Sequence, residues 1–104
     1  MDLGVPMDKK YYVIAGNYRE YIEFAKRKTK EYYETGFTGA SLSNFIFVDS
    51  KERLLGVQNP SGFFIGTWKN YTKIEEIMIT LAGAITDSKR QQVIRDLWKE
   101  YRNE

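Results

Sequence analysis

The stretch Tyr11-Tyr12-Val13-Ile14-Ala15-Gly16-Asn17-Tyr18 decides how the chain is read. An apolar run of β-formers stops at a glycine, an asparagine follows, and a helical pattern begins at once. A short apolar run without alternation reads as a strand buried on both faces, the signature of a parallel sheet. The same grammar returns at Phe63-Phe64-Ile65-Gly66-Thr67-Trp68. Strand, tight glycine turn and helix start is how open α/β sheets build ligand crevices at their carboxyl edge.

Outward from the first stretch, Asn17 is a good N-cap. Tyr18, Tyr21, Ile22, Ala25, Thr29 and Tyr32 then recur at helical spacing and predict one buried face. Lys26, Arg27, Lys28 and Lys30 fall in the second half of that helix, where cations complement its dipole and read as a solvated end. Gly36 marks its stop. Phe37 to Asn44 is small and polar, hence a loop. Phe45-Ile46-Phe47-Val48 is the second strand, followed by Asp49-Ser50-Lys51-Glu52, which has the form of a capping box. Asn59-Pro60-Ser61-Gly62 is a turn leading into the third strand. The segment from Asp49 to Phe63 can hold a parallel crossover; its rival is a hairpin pairing Leu54 to Gln58 with Gly62 to Thr67. The continuous apolar run Phe63 to Ile65 favours the parallel arrangement.

Two further helices follow. Thr72-Lys73-Ile74-Glu75 reads as a capping box before Ile74, Ile77, Met78, Leu81, Ala82 and Ile85. Ser88-Lys89-Arg90-Gln91 reads as another, before Val93, Ile94, Leu97, Trp98 and Tyr101. The expected architecture is a small three-layer, Rossmann-like α/β domain. It has a short, mostly parallel three-stranded sheet and three main helices over residues 11–104, behind a flexible tail at residues 1–10.

Composition limits the chemistry. The chain has 104 residues, no cysteine and no histidine. Ser-His-Asp, Cys-His and zinc-thiolate arrangements are therefore excluded within one chain. A formal charge of +2 is too small to argue for nucleic-acid binding by itself. No apolar run approaches the ~20 residues of a membrane span, and a cytoplasmic location is expected.

If all strands run in one direction, their carboxyl ends gather Gly16, Asn17, Tyr18 and Arg19 with Asp49, Ser50 and Lys51 and with Gly66, Thr67, Trp68 and Lys69. Helix starts there offer free N–H groups to a phosphate or carboxylate. The two glycines allow close approach, Asn17 and Thr67 donate hydrogen bonds, Arg19, Lys51 and Lys69 neutralise charge, and Tyr18 or Trp68 stacks on a base. The full GxGxxG fingerprint is absent. Asp49 is the single acid expected in the crevice, too little for catalysis, and no cofactor or metal is expected.

The pattern Tyr12 to Tyr18, Phe45 to Val48 and Leu55 to Trp68, with Asn59-Pro60-Ser61-Gly62-Phe63-Phe64-Ile65-Gly66-Thr67-Trp68 as its most specific piece, resembles a group of small tailed-phage and prophage proteins. The resemblance covers about Tyr11 to Ile79 and implies a compact Rossmann-like domain in a bacterial cytoplasm; no catalytic residue comes with it. In that setting the expected function is to hold a nucleotide-derived anion, sequestering a host defence signal or sensing a metabolite. The alternative is a protein-binding inhibitor of a host or anti-phage defence factor, using the Tyr-rich first helix (Tyr18, Tyr21, Tyr32, Tyr33) and the last helix. The apolar stripe of that last helix also predicts a homodimer or higher homo-oligomer.

Overall fold

The computed structural model describes residues 9–103; the greater part of the expected N-terminal tail lies outside them. Three parallel strands, β1 (Tyr11–Ile14), β2 (Phe45–Phe47) and β3 (Ser61–Phe64), form one sheet in the order β2-β1-β3. Tyr11 stands opposite both Phe45 and Ser61, and Val13 opposite both Phe47 and Phe63. The parallel reading holds and the hairpin is excluded. Among the described residues no helix is long and apolar enough to cross a membrane.

Helix α1 (Tyr18–Glu34) connects β1 to β2 on one face of the sheet. The β2–β3 crossover carries a 3-10 turn over Lys51–Leu54, whose Leu54 packs on the opposite face with α2 (Ile74–Ala84) and α3 (Ser88–Arg102). The strand order explains this. One connection moves outward from β1 and the next returns across it, so crossovers of one hand must lie on opposite faces. Three layers result, with two cores. Val13, Ala15, Tyr21, Phe24, Ala25 and Phe45 fill the α1 side. Ile14, Leu54, Ile77, Met78, Leu81 and Ile94 belong to the other.

Some local expectations shift. The core-facing side of α1 keeps Tyr21 and Ala25, with Ile22 and Tyr32 partly buried, but it adds Phe24 and leaves Tyr18 exposed. Phe24 is drawn over the sheet by Phe63 (ring centroids 5.0 Å apart) and Phe45, and this turns Tyr18 outward. The Lys28 ammonium lies 5.8 Å from the Phe24 ring and 5.7 Å from that of Phe63, charge outward over an apolar floor. The Thr72–Glu75 capping box does not form: α2 starts from Lys73 without a side-chain cap, after a 3-10 turn over Trp68–Asn70. Helix α3 is capped one residue earlier than expected, by Asp87, whose carboxylate accepts from the Lys89 N–H. A carboxylate answers the helix dipole better than the Ser88 hydroxyl does. Ser50, not Asp49, precedes the Lys51–Leu54 turn, and its side chain makes no cap bond.

Candidate functional site

The three strand ends converge as parallel pairing requires. The chain leaves β1 toward α1 on one face and leaves β3 toward α2 on the other, so the crevice between Gly16 and Gly66 is the topological switch point of the sheet. The backbone there is built for close approach. A Cβ on Gly16 would overlap the Thr67 hydroxyl and come within 2.7 Å of the Thr67 carbonyl oxygen. Gly66 has φ +54°, and a Cβ on it would lie 2.6 Å from the Glu20 carboxyl carbon.

The crevice already holds an anion, the carboxylate of Glu20. The Gly16 N–H donates to Oε1 at 2.8 Å, the Thr67 N–H to Oε1 at 3.1 Å and Oε2 at 3.2 Å, and the Thr67 hydroxyl to Oε2 at 2.9 Å. Partial burial pushes the Glu20 pKa up, but the hydrogen bonds from the Gly16 N–H and from the Thr67 hydroxyl and N–H together outweigh it. The group is held below the usual glutamate value. The expected anion chemistry is therefore present, and the chain's own side chain satisfies it. The signal was in the sequence as Asn17-x-x-Glu20, the spacing of a capping box. Asn17 does cap, accepting from the Glu20 N–H at 2.9 Å, while Glu20 reaches back past the cap to Gly16 and across to Thr67.

The remaining expected residues scatter. Trp68 is only 6% exposed, packed edge-on to Phe64 in the α2/α3 core, so its ring is not offered for stacking. Arg19 pairs with Glu23 at 3.8 Å, Lys51 with Glu76 at 3.7 Å and Lys69 with Glu100 at 3.9 Å. These long, mostly exposed pairs contribute little stability, and they engage acids on the three helices. Asp49 accepts from Arg53 Nε at 3.0 Å, and that bond, opposed by burial and aided by the guanidinium charge, holds its carboxyl below the usual value. Its carbonyl accepts from the Tyr71 hydroxyl at 2.7 Å. Asp49 thus braces the β2–β3 crossover.

Tyr18 belongs to a different surface. It is 61% exposed and lines a depression of about 480 Å³ with Ile22, Leu42, Ser43, Ile46, Asp49 and Arg53. Leu42 also lines a second depression, of about 540 Å³, with Lys26, Thr29, Lys30, Tyr33 and Glu34. The two depressions adjoin at Leu42, on the outer side of α1 and the 37–44 loop. Tyr33 is 56% exposed and Leu42 39%. The buried Asn44 fixes this loop: its Oδ1 accepts from the Ser41 N–H at 2.9 Å, and its Nδ2 donates to the Lys9 carbonyl at 3.0 Å. Sequence reasoning expected Tyr18 and Tyr33 on the first helix but not Leu42, because only the folded loop brings it beside them.

Among the described residues no cluster of three acidic side chains is placed to hold a metal ion. Compared with protein-family models, with curated proteins and with solved structures, the chain gives no match.

Proposed function

We propose that the chain is a non-catalytic protein-binding module whose contact surface is the two depressions along α1 from Tyr18 to Tyr33, which adjoin at Leu42. The observation that supports it is the gathering of three large, exposed apolar side chains on one flank, among Lys26, Lys30, Asp49 and Arg53. Tyrosines with an apolar centre and a charged margin are the composition of a protein interface. In the phage setting that the sequence resemblance implies, the partner is a folded host or anti-phage defence protein. The test is pull-down from a bacterial lysate, then binding measured with the purified partner and with Y18A, Y33A and L42A variants. Each tyrosine substitution is expected to weaken binding by about 2 kcal/mol, while the fold is retained. Undiminished binding by a Y18A/Y33A double variant rejects the reading. Sedimentation showing self-association lost with the same substitutions would replace the host partner by a second copy of this chain.

A second reading rests on the Glu20 carboxylate and its three donors. It keeps a small anion, nucleotide-derived in the first expectation, as ligand at the switch point, entering where Glu20 leaves. An E20A variant then gains thermal stability from added phosphate, carboxylate or nucleotide, and gains more than the unsubstituted chain does. A flat response of E20A to all three removes this reading.

A further inference from the structure

On α3, Arg95, Trp98, Lys99 and Arg102 stand at i, i+3, i+4 and i+7. They line an open depression of about 340 Å³. The Arg102 guanidinium lies 4.9 Å from the Trp98 ring centroid, and Tyr101 meets that ring edge-on at 6.0 Å. None of the three cations is in an ion pair with a described residue. The two acids of the helix are engaged away from them: Asp96 accepts from Gln92, and Glu100 stands 3.9 Å from Lys69. The small net charge of the whole chain hides this sorting. On α1, Arg19 meets Glu23 and both Arg27 and Lys28 meet Glu31, whereas no acid of α3 stands against this stripe.

We infer that this stripe is a binding surface for single-stranded nucleic acid, with phosphates on Arg95, Lys99 and Arg102 and a base against Trp98. Charge complementarity favours a polyanion: three cations without an ion pair among the described residues rise over about 10 Å of helix, since each residue advances about 1.5 Å. The floor selects among polyanions. It is a half-buried indole beside the aliphatic stems of arginine and lysine, an apolar plane with charge at its margin. That is the combination with which proteins hold single strands, stacking a base and neutralising its backbone. An acidic peptide would use the cations and leave the ring unused.

The test is titration of the full chain with an oligothymidylate of about ten nucleotides, followed by tryptophan fluorescence and anisotropy at several salt concentrations. Trp68 is buried in the core, so quenching by the oligonucleotide reports Trp98. Expected are quenching on binding and a log–log salt slope of about −2, the value for three phosphate contacts on a single strand. Affinity should fall about tenfold or more in R95Q/K99Q/R102Q, whose substitutions lie at exposed positions and should leave the circular dichroism spectrum unchanged. W98F should keep the salt slope and weaken binding. Absence of binding at low salt overturns the proposal, as does equal affinity in the triple variant. Polyglutamate binding as tightly as the oligonucleotide overturns it in favour of an acidic protein partner.

Discussion

The two faces of the sheet are covered by different means. On one side a single helix does the work; on the other, α2 and α3 share it with the Lys51–Leu54 and Trp68–Asn70 turns. Three strands at about 4.8 Å spacing are wider than the roughly 10 Å of one helix, so α1 alone leaves margins open. Large rings span the deficit. Phe45 lies 5.5 Å from Tyr11, 6.0 Å from Tyr32 and 6.4 Å from Phe24, and Tyr21 stacks on Phe47 at 5.2 Å. The buried centre of the two-helix face is mainly Ile, Leu, Val and Met, and its rings, Trp68 against Phe64 and Tyr101, gather toward one end of that layer. The comparison teaches where the exposed aromatics come from. A one-helix layer built of rings runs out of cover at its margins, and Tyr18, Tyr33 and Phe37 remain at the solvent boundary.

The comparison can be broken first in the cores. Phe45→Ala removes the ring on which three others lean and is expected to cost about 3–5 kcal/mol in urea denaturation. Ile77→Ala, equally buried on the aliphatic side, should cost about 2–5 kcal/mol. A smaller loss for Phe45→Ala than for Ile77→Ala would mean that the ring layer is loosely packed and carries less of the stability than its geometry implies.

The crevice joins the two faces and gives the next largest effect. Gly16→Ala and Gly66→Ala are each expected to cost about 1–3 kcal/mol through overlap. A double-mutant cycle sharpens the point. In an E20A background the Gly66→Ala cost should shrink toward the ~1 kcal/mol of left-handed strain, because the three atoms nearest the added Cβ all belong to the Glu20 carboxylate. The Gly16→Ala cost should persist, because its Cβ also meets the Thr67 carbonyl oxygen, which cannot swing away. Equal behaviour of the two would show that the Glu20 latch does not hold the loops together.

Glu20→Gln should cost about 1 kcal/mol near neutral pH, a figure discounted for partial exposure. Its pH dependence carries a definite sign. The folded-state pKa of Glu20 is depressed, so its contribution is present above the unfolded glutamate pKa and is lost as pH falls through the folded value. Removing the carboxylate should flatten the acid limb of the stability curve, read from urea midpoints below neutral pH. An unchanged acid limb would remove Glu20 from the account and leave Asp49, whose pKa is lowered chiefly by Arg53, as the acid-sensitive group.

The smallest effect on stability belongs at the open margin. Tyr18→Ser and Tyr33→Ser are exposed changes expected to stay within about 0.5 kcal/mol of the parent. A larger loss would mean that these rings complete the α1 layer and are not surplus surface.

Much of the frame was legible because it is local. Tyr11–Ile14 form a strand whose Val13 and Ile14 are buried on opposite faces, and Gly16 follows one residue after the buried Ala15. Asn17 caps α1, Gly36 with φ +109° closes it, and the Ile74–Leu81 spacing faces a core. The candidate site was legible only in part. Gly16, Gly66 and Thr67 do meet, yet Glu20, which unites them, stood unnoticed as one helix-start acid among several. Trp68 and Tyr18 occupied matching places after their glycines, and the fold sent one inward and the other outward.

What the sequence determined by itself is what hydrophobic period and turn chemistry decide within a few residues: three strands, three helices and glycine-marked strand ends. The tertiary structure decided which donors were already used and which rings stayed exposed. Those outcomes depend on partners such as Glu20 and Thr67, 47 residues apart, whose meeting is set by strand order and by the width of the sheet each helix must cover.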